Sequence, residues 1–420
     1  MISVLEARKL IDQHIEPLVE EETLFSLAHG RVLREPVVSP EDMPAFDRSA
    51  MDGYAVRLDE TALDLEVVGE IRAGQSEDRE LKPGQTIRIL TGARLPGSGL
   101  KVVMQEHVEA STGRIRIVKQ NPATNVRKRG EDARAGEVLL ESGVTLNAAA
   151  LALLASVGKT TVRVSKLPRI LHLTTGDEIV SPEQTPQDGQ IRNSNASLVA
   201  GLCREAGVAV DHFHGNDDLS ALLEIFSRAK VETYDMVLIS GGSGQGTYDF
   251  SAELFKRLGA SIHFREINVR PGKPLIFGTV SKSIRHPELV EGSAPGKRST
   301  SQETAQIVIG LPGNALSHFV CFQLFVRRAL DRFLARASLQ PVQAFLSEPM
   351  AETTNARETW WPALAGLKDG RLECRALAWK SSGDITRLPA ANALIQVPSS
   401  TPHFPAGTMV NLLLTQNALT

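Results

Sequence analysis

VLISGGSGQGTYDF, residues 237–250, leads from an apolar run into four glycines within six positions and then into a helix-like segment. Each glycine costs conformational entropy on folding, so such a run implies either close backbone approach or turns at positive φ. A strand, a glycine loop and a helix start, in that order, form a cradle for anions, because free backbone N–H groups and the helix dipole both favour phosphate. The run lacks the G-K-[ST] of a Walker loop and is not a clean G-x-G-x-x-G fingerprint. A plain tight turn, with Asp249 as a helix N-cap, is the alternative reading.

The surroundings decide the fold. From residue 167 to about 335, strand-like and helix-like stretches alternate: RILHL, NASLVAGLCREAG (Asn195 as N-cap), VAVDHFHG, DLSALLEIFSRAK, DMVLIS, SAELFKRLG, two strands flanking PGKP, then QIVIG and ALSHFVCFQLFVRRAL. That alternation predicts an α/β domain with a doubly wound, mostly parallel sheet. Ligands bind such sheets at the carboxyl ends of the strands. TTGDE, SGGSGQG and GLPGN each follow a strand, so the three loops are expected at one sheet edge.

The remaining chain reads differently. Residues 46–132 carry short strands and turn dipeptides and predict a small β domain, and residues 336–420, with ALIQVP and TMVNLLL, predict a small barrel. Residues 1–45 and 133–166 are expected to pair as one discontinuous extended domain. At its start, Ser3 and Glu6 have capping-box spacing, and Val4, Ala7 and Ile11 mark one helical face. AAALALLASVG (Ala148–Gly158) is too short to span a bilayer and reads as a core helix. Residues 281–306 have no apolar period and read as a floppy insertion between two strands.

With 420 residues, 42% hydrophobic and 23% charged, the composition is that of an ordinary globular multi-domain protein. A net charge of −3 argues against a dedicated nucleic-acid binder. The N-terminal segment has no signal-peptide pattern. Three scattered cysteines, Cys203, Cys321 and Cys374, exclude a disulfide framework or zinc site and fit a reducing cytoplasm.

Chemistry-bearing residues cluster near the three loops. Lys273 stands between two prolines with Arg270 just ahead, either a stiffly held anion site or an exposed turn with solvated cations. Glu178, Asp235 and Asp249 are each ordinary caps or surface acids in isolation. Converging at one sheet edge beside a phosphate cradle, they would repel the anion unless a hard cation intervened. Mg²⁺ held by one or two carboxylates plus phosphate oxygens is the usual resolution. MPAFDRSAMDGYAV places Asp47 and Asp52 in a turn-rich segment, and NVRKRGEDARAG sets Arg127, Lys128 and Arg129 beside Glu131 and Asp132. Either stretch alone reads as an ordinary loop.

Taken in order, FDRSAMDGYAV, ILTGARLP, VVMQE, NVRKRGED, TTGDE, GQIRNSN, SGG…G.YDF, RPGKP and GLPGN resemble one family, the molybdopterin molybdenumtransferases of the MoeA type, which includes the gephyrin and plant E-domains. The resemblance runs from residue 46 to 314. It implies four domains, a homodimer, and Mg²⁺-dependent insertion of molybdate into adenylylated molybdopterin with release of AMP. It also admits the molybdopterin adenylyltransferase as a partner and implies no nucleic acid and no membrane. By motif, it implies catalytic roles for Asp52, Thr91, Asp132, Glu178, Asp235 and Asp249, the last three also as metal ligands. Ser240, Gly241, Gly242, Gly246, Pro274, Gly313 and Asn314 would hold the pterin substrate, and Arg270, Lys273, Ser317 and Ser382 the molybdate.

This chain departs from the family pattern at several places. Gly244 and Thr247 replace a serine and an acid of the glycine loop, and Gly313-Asn314-Ala315-Leu316-Ser317 lacks a proline. Glu266 stands at a lysine position, with Arg265 adjacent, and Trp360-Trp361-Pro362 lacks an arginine. Two cationic positions are thereby lost or displaced. Two further readings share the sheet domain: a non-catalytic molybdopterin-binding or scaffolding paralogue, and a pterin adenylyltransferase, against which the flanking domains argue.

Overall fold

ILHLTT, MVLIS and QIVIGL show no polar alternation, and strands of that kind must be covered on both faces. The structure, a computed structural model, describes residues 1–241, 250–281, 305–350, 356–399 and 403–415. It divides into two units, one of Met1–Thr23, Ala28–Arg34 and Arg163–Thr420, the other of Leu24–Leu27 and Glu35–Val162. Residues 1–45 are thus divided between the two.

The larger unit holds the central sheet. Its elements in chain order are α1 (Val4–His14), β1 (Ile170–Thr175), α2 (Ser194–Glu205), β2 (Asp211–Gly215), α3 (Leu219–Ala229), β3 (Met236–Ser240), α4 (Phe250–Arg257), β4 (Ser261–Glu266), β5 (Pro274–Val280), β6 (Gln306–Leu311), α5 (Ala315–Cys321) and α6 (Arg327–Phe333). The strand order is β2-β1-β3-β6-β5-β4. The first four are parallel, and β5 and β4 run antiparallel, so the sheet is mixed. Every residue of β1, β3 and β6 is buried. Alternate side chains enter different cores. Leu171, Leu173, Val237, Ile239 and Val308 pack with Leu222 and Phe226 of α3 and Leu254 and Phe255 of α4. Ile170, Met236, Leu238, Ile307 and Ile309 pack with α1, α2, α5 and α6. Both faces are covered, as the apolar runs require.

Local chemistry sets the helices. Ser3 and Glu6 form the capping box of α1, whose buried face is Val4, Ala7 and Ile11. The N-cap of α2 is Asn193 rather than Asn195, its side chain accepting from Ala196 N at 3.0 Å. The expected long helix after β6 is interrupted between α5 and α6 by a π-helical turn, Phe322–Val326.

The C-terminal strands Glu358–Lys368, Arg371–Ala376, Val342–Leu346, Met409–Leu414 and Ala393–Val397 pair in that order, and the last returns to the first. This closed ring is the expected barrel. The two-residue strand Val269–Arg270 adds parallel to Glu358–Lys368, fastening the segment before Lys273 to it.

The smaller unit is built on a six-stranded sheet in the order Leu100–Met104, Gly53–Arg57, Gln85–Ile89, Asp64–Ile71, Arg114–Ile117, Val108–Ser111. Ala148–Ser156 forms a helix capped by Asn147, but only Ala150 and Leu154 are buried, so it is not the core helix that its apolar sequence predicts. No helix among the described residues is long and apolar enough to cross a membrane.

Beneath the carboxyl edge of the central sheet lies a buried polar chain. His318 Nδ1 donates to Pro312 O at 2.8 Å, which leaves Nε2 to accept from the Ser240 hydroxyl at 3.0 Å. Ser240 Oγ must then accept from His172 Nε2, at 2.5 Å. Burial holds His172 well below the ordinary imidazole range and pushes His318 down to about 4.

Two outcomes follow from this architecture. Val280 pairs with Gln306, so the ends of the 281–306 insertion, most of which lies outside the described residues, are already adjacent. Replacing residues 282–304 with a short Gly/Ser connector should leave Tm within a few degrees, because loop length adds little closure entropy. For the histidines, the unfolded rings protonate near pH 6.5 and the buried ring of His318 only near 4. Stability is therefore fully present above about pH 6.5 and declines as pH falls toward about 4, by roughly 3 kcal/mol for His318. Urea denaturation across that range should show the decline, and His318→Gln should flatten it.

Candidate functional site

Four loops leave the carboxyl ends of β1, β2, β3 and β6, and all four reach one cavity of about 570 Å³. Its wall includes Gly176 and Glu178 after β1, Asp217 after β2, Gly241 after β3, and Pro312, Gly313 and Asn314 after β6. Because β2 and β3 lie on opposite sides of β1, the chain reverses direction here, which opens a crevice at this edge. The first glycine of the run is obligatory. Gly241 has φ +99°, and a Cβ there would lie 2.6 Å from Thr175 O on the neighbouring strand.

The opposite wall comes from RPGKP, the start of α5 and the barrel segment 379–382. Gly272, at φ +111°, has no room for a Cβ against Cys321 Sγ, so the turn that presents Lys273 is fixed. Arg270 lies over the Trp379 ring, 5.1 Å from its centroid, and Trp361 packs edge-on against Trp379. Asn314 donates to Ser382 Oγ at 2.8 Å and Leu316 N donates to Ser382 O at 3.0 Å, joining barrel to helix. Asn195, freed from the expected capping role, donates to Gly313 O at 2.7 Å.

The charges are segregated. Glu178 and Asp217 stand on the loops of β1 and β2, while Arg270, Lys273, Arg357 and Lys380 line the other wall. Burial raises the Asp217 carboxyl above the usual range, and the neighbouring charges of Asp177 and Glu178 raise it further. Lys273 Nζ lies 3.2 Å from Glu266 Oε1.

Of the residues expected from sequence, Glu178, Gly241, Arg270, Lys273, Pro274, Gly313, Asn314, Ser317 and Ser382 therefore share one cavity. Asp235 does not. It precedes β3, at the amino end of the sheet, where its carboxylate accepts from Arg169 N at 2.9 Å. The length of a buried strand separates it from the loops, so it is a structural acid. Ser240 is 2% exposed and its hydroxyl is taken by two histidines, leaving only its backbone to the loop. Gly242, Gly246 and Asp249 lie outside the described residues. Asp217, Arg357, Trp379 and Lys380 were not singled out from the sequence. Asp217 could have been, since Asn216-Asp217-Asp218 follows a strand directly, as TTGDE does.

In the smaller unit, the two charged stretches come together by themselves. Arg48–Ser49 pairs antiparallel with Val126–Arg127. Asp47 accepts from Lys128 Nζ at 2.8 Å and Arg129 N at 2.9 Å, and Asp132 pairs with Arg127. Thr91 donates to Asp52 Oδ1 through its N–H at 2.7 Å and its hydroxyl at 2.8 Å, which holds the Asp52 carboxyl below its usual range.

Known proteins share this organisation. Residues 2–158 match the family described as MoeA N-terminal region (domain I and II), residues 172–332 the probable molybdopterin binding domain, and residues 344–415 the MoeA C-terminal region (domain IV). The chain is 36% identical over 399 residues to the molybdopterin molybdenumtransferase of Nostoc sp., covering 92% of this chain and 86% of that one. It is 29% identical over 428 residues to the enzyme of the same name from Staphylococcus epidermidis, covering 99% and 96%. The crystal structure of a molybdopterin biosynthesis MoeA protein from Pyrococcus horikoshii superposes with a TM-score of 0.78 at 28% identity, covering all of both chains. The chain belongs to the molybdopterin molybdenumtransferase family, transferases of molybdenum cofactor biosynthesis.

Proposed function

We propose that this chain inserts molybdate into adenylylated molybdopterin in a Mg²⁺-dependent reaction that releases AMP, and that it does so in the cytoplasm. The observation that carries this reading is a single cavity lined both by acids on the β1 and β2 loops and by four cations from the RPGKP turn and the barrel. An adenylylated pterin brings phosphates and molybdate is a dianion, so the substrates need both a cation beside the acids and fixed positive charge opposite.

The acids suit a hard cation. Burial, and then the neighbouring charges of Asp177 and Glu178, raise Asp217, and a divalent ion would stabilise its charged form. Glu178 and Asp217 would hold Mg²⁺, and the sequence motif assigns Asp249, outside the described residues, to the same ion; among the described residues no three such side chains gather. Bound there, Mg²⁺ would neutralise charge developing on the phosphate oxygens as the pyrophosphate bond to AMP breaks. Gly241 and Gly313 present backbone to the pterin substrate at close range. Arg270, steered by Trp379, and Lys273, fixed by Pro271 and Gly272, hold molybdate with the hydroxyls of Ser317 and Ser382. Arg357 and Lys380 supply the charge that the family places at positions 266 and 362.

The chain acts as a homodimer in this reading. Leu24, Leu27, Val38, Val138 and Val144 of the smaller unit are exposed, and the apolar helix Ala148–Ser156 beside them is largely uncovered. Apolar surface of this kind marks an interface. The Asp52–Thr91 pair and Asp132 would then serve the cavity of a second copy.

The direct test is AMP release from adenylylated molybdopterin with molybdate and Mg²⁺; pterin binding without release would identify a non-catalytic paralogue instead. Lys273→Ala should raise the half-saturating molybdate concentration at least tenfold, about the loss of one charge-assisted hydrogen bond, and more than Arg265→Ala does. Mixing inactive Asp52→Ala and Asp249→Ala chains should restore about a quarter of wild-type activity if subunits exchange randomly, because one cleft of each heterodimer receives neither defect. Heterodimers seen by native mass spectrometry that remain inactive would remove the shared-site part of the proposal.

A further inference from the structure

Glu266 is not part of the cavity wall, yet it is the partner of a cation that is. Its carboxylate lies 3.2 Å from Lys273 Nζ, with the two side chains 42% and 33% exposed. The contact is built by the backbone. Glu266 ends β4 opposite Pro274, the first residue of β5, and Ile267 N donates to Lys273 O at 2.9 Å. With Gly272 fixed against Cys321 and Pro274 next in the chain, the backbone that presents Lys273 is held in place, and Glu266 stands within reach of its side chain.

A pair this exposed adds little to folding. Its effect on the cavity is larger. Of the four cations on the wall, Lys273 already has a carboxylate at contact distance, and an arriving oxyanion meets a lysine whose field is largely cancelled. Freed from that carboxylate, Lys273 offers the dianion a charge-assisted hydrogen bond that it otherwise shares, a gain of about threefold to tenfold in a partly aqueous site.

We propose that Glu266 is a resident counter-anion of Lys273, with which the oxyanion substrate must compete, and that it sets how tightly this chain binds molybdate. The proposal rests on Lys273 being an oxyanion residue, as argued above. Glu266 acts through Lys273 and is a specificity-determining residue, not a catalytic one. If it served only to hold Lys273 in place, its removal would weaken binding rather than strengthen it.

The experiment is a double-mutant cycle on the full-length protein, read by calorimetric titration with sodium molybdate and by the molybdate dependence of AMP release. Glu266→Gln keeps the size of the side chain and removes its charge. It should tighten molybdate binding about threefold to tenfold, with the thermal midpoint shifted by no more than a degree or two. In a Lys273→Ala background the same substitution should change nothing. Unchanged or weaker binding in Glu266→Gln, while Lys273→Ala still weakens it, overturns the counter-anion role alone. Tightening that persists without Lys273 also overturns it, since Glu266 would then act on the substrate directly. Lys273→Ala without effect overturns both this proposal and the assignment of Lys273 to the oxyanion.

Discussion

Three adjacent parallel strands, β1, β3 and β6, are buried on both faces, and the rest of the larger unit follows from that. A strand so placed cannot spend polar side chains on solvent, so its chemistry is displaced to the residues just beyond its carboxyl end. Parallel neighbours deliver those residues to the same edge. The spacing between strands then brings Gly241 against Thr175 O, where only a missing Cβ fits. Glycine is therefore required by the sheet before any ligand is considered. The same tight edge, with backbone exposed and side chains excluded, is what a bulky pterin phosphate can approach.

Polar groups inside this edge are few and mostly engaged, although His172 Nδ1 and Thr175 Oγ1 are buried without a hydrogen-bond partner among the described residues. The chain from His172 through Ser240 and His318 to Pro312 O crosses β1, β3 and the start of α5, linking three elements whose loops line the cavity. Buried imidazoles are costly when charged, and here they stay neutral, each proton directed to one acceptor. The network holds Pro312 and Gly313 in register with Gly241, and Asn195 holds Gly313 from the other side. The cavity edge is thus fixed by hydrogen bonds that a ligand need not supply.

The fold was largely legible in the sequence because apolar runs, turn glycines and caps are local signals. Strand order was not, and the site depended on it. Asp235 and Asp217 are both acids flanking strands, but Asp235 precedes its strand and Asp217 follows one. That placement alone decides which reaches the cavity, and it was missed because Asp235 abuts the more conspicuous strand. Arg357, Trp379 and Lys380 were missed for another reason. They belong to the barrel and meet the sheet through long-range contacts, Val269–Arg270 pairing with Glu358–Lys368 nearly ninety residues away and Asn314 with Ser382. The apolar helix Ala148–Ser156 misled in the opposite sense. Hydrophobic sequence says that a face will be covered, without saying whether the cover comes from the same chain.

The cationic positions that the motif comparison counts as lost give the clearest contrast between structural and functional charge. In the core, Asp331 is 1% exposed and is held by Arg336 at 2.6 Å and Arg327 at 3.5 Å; burial raises its carboxyl while the arginines pull it down. Removing one member of such a cluster strands the others, so its composition is tied to the fold. The cavity charges are partly exposed and borne by loops from two domains, so their cost to folding is small. Substitution of a cavity charge is therefore expected to cost the sheet little, unlike substitution in the Asp331 cluster. A motif read position by position misses Arg357 and Lys380, which line the same cavity as Arg270 and Lys273. Among the departures from the motif, Glu266 is the one whose carboxylate lies 3.2 Å from a cation of the cavity wall, Lys273, and the proposed counter-anion role follows from that contact.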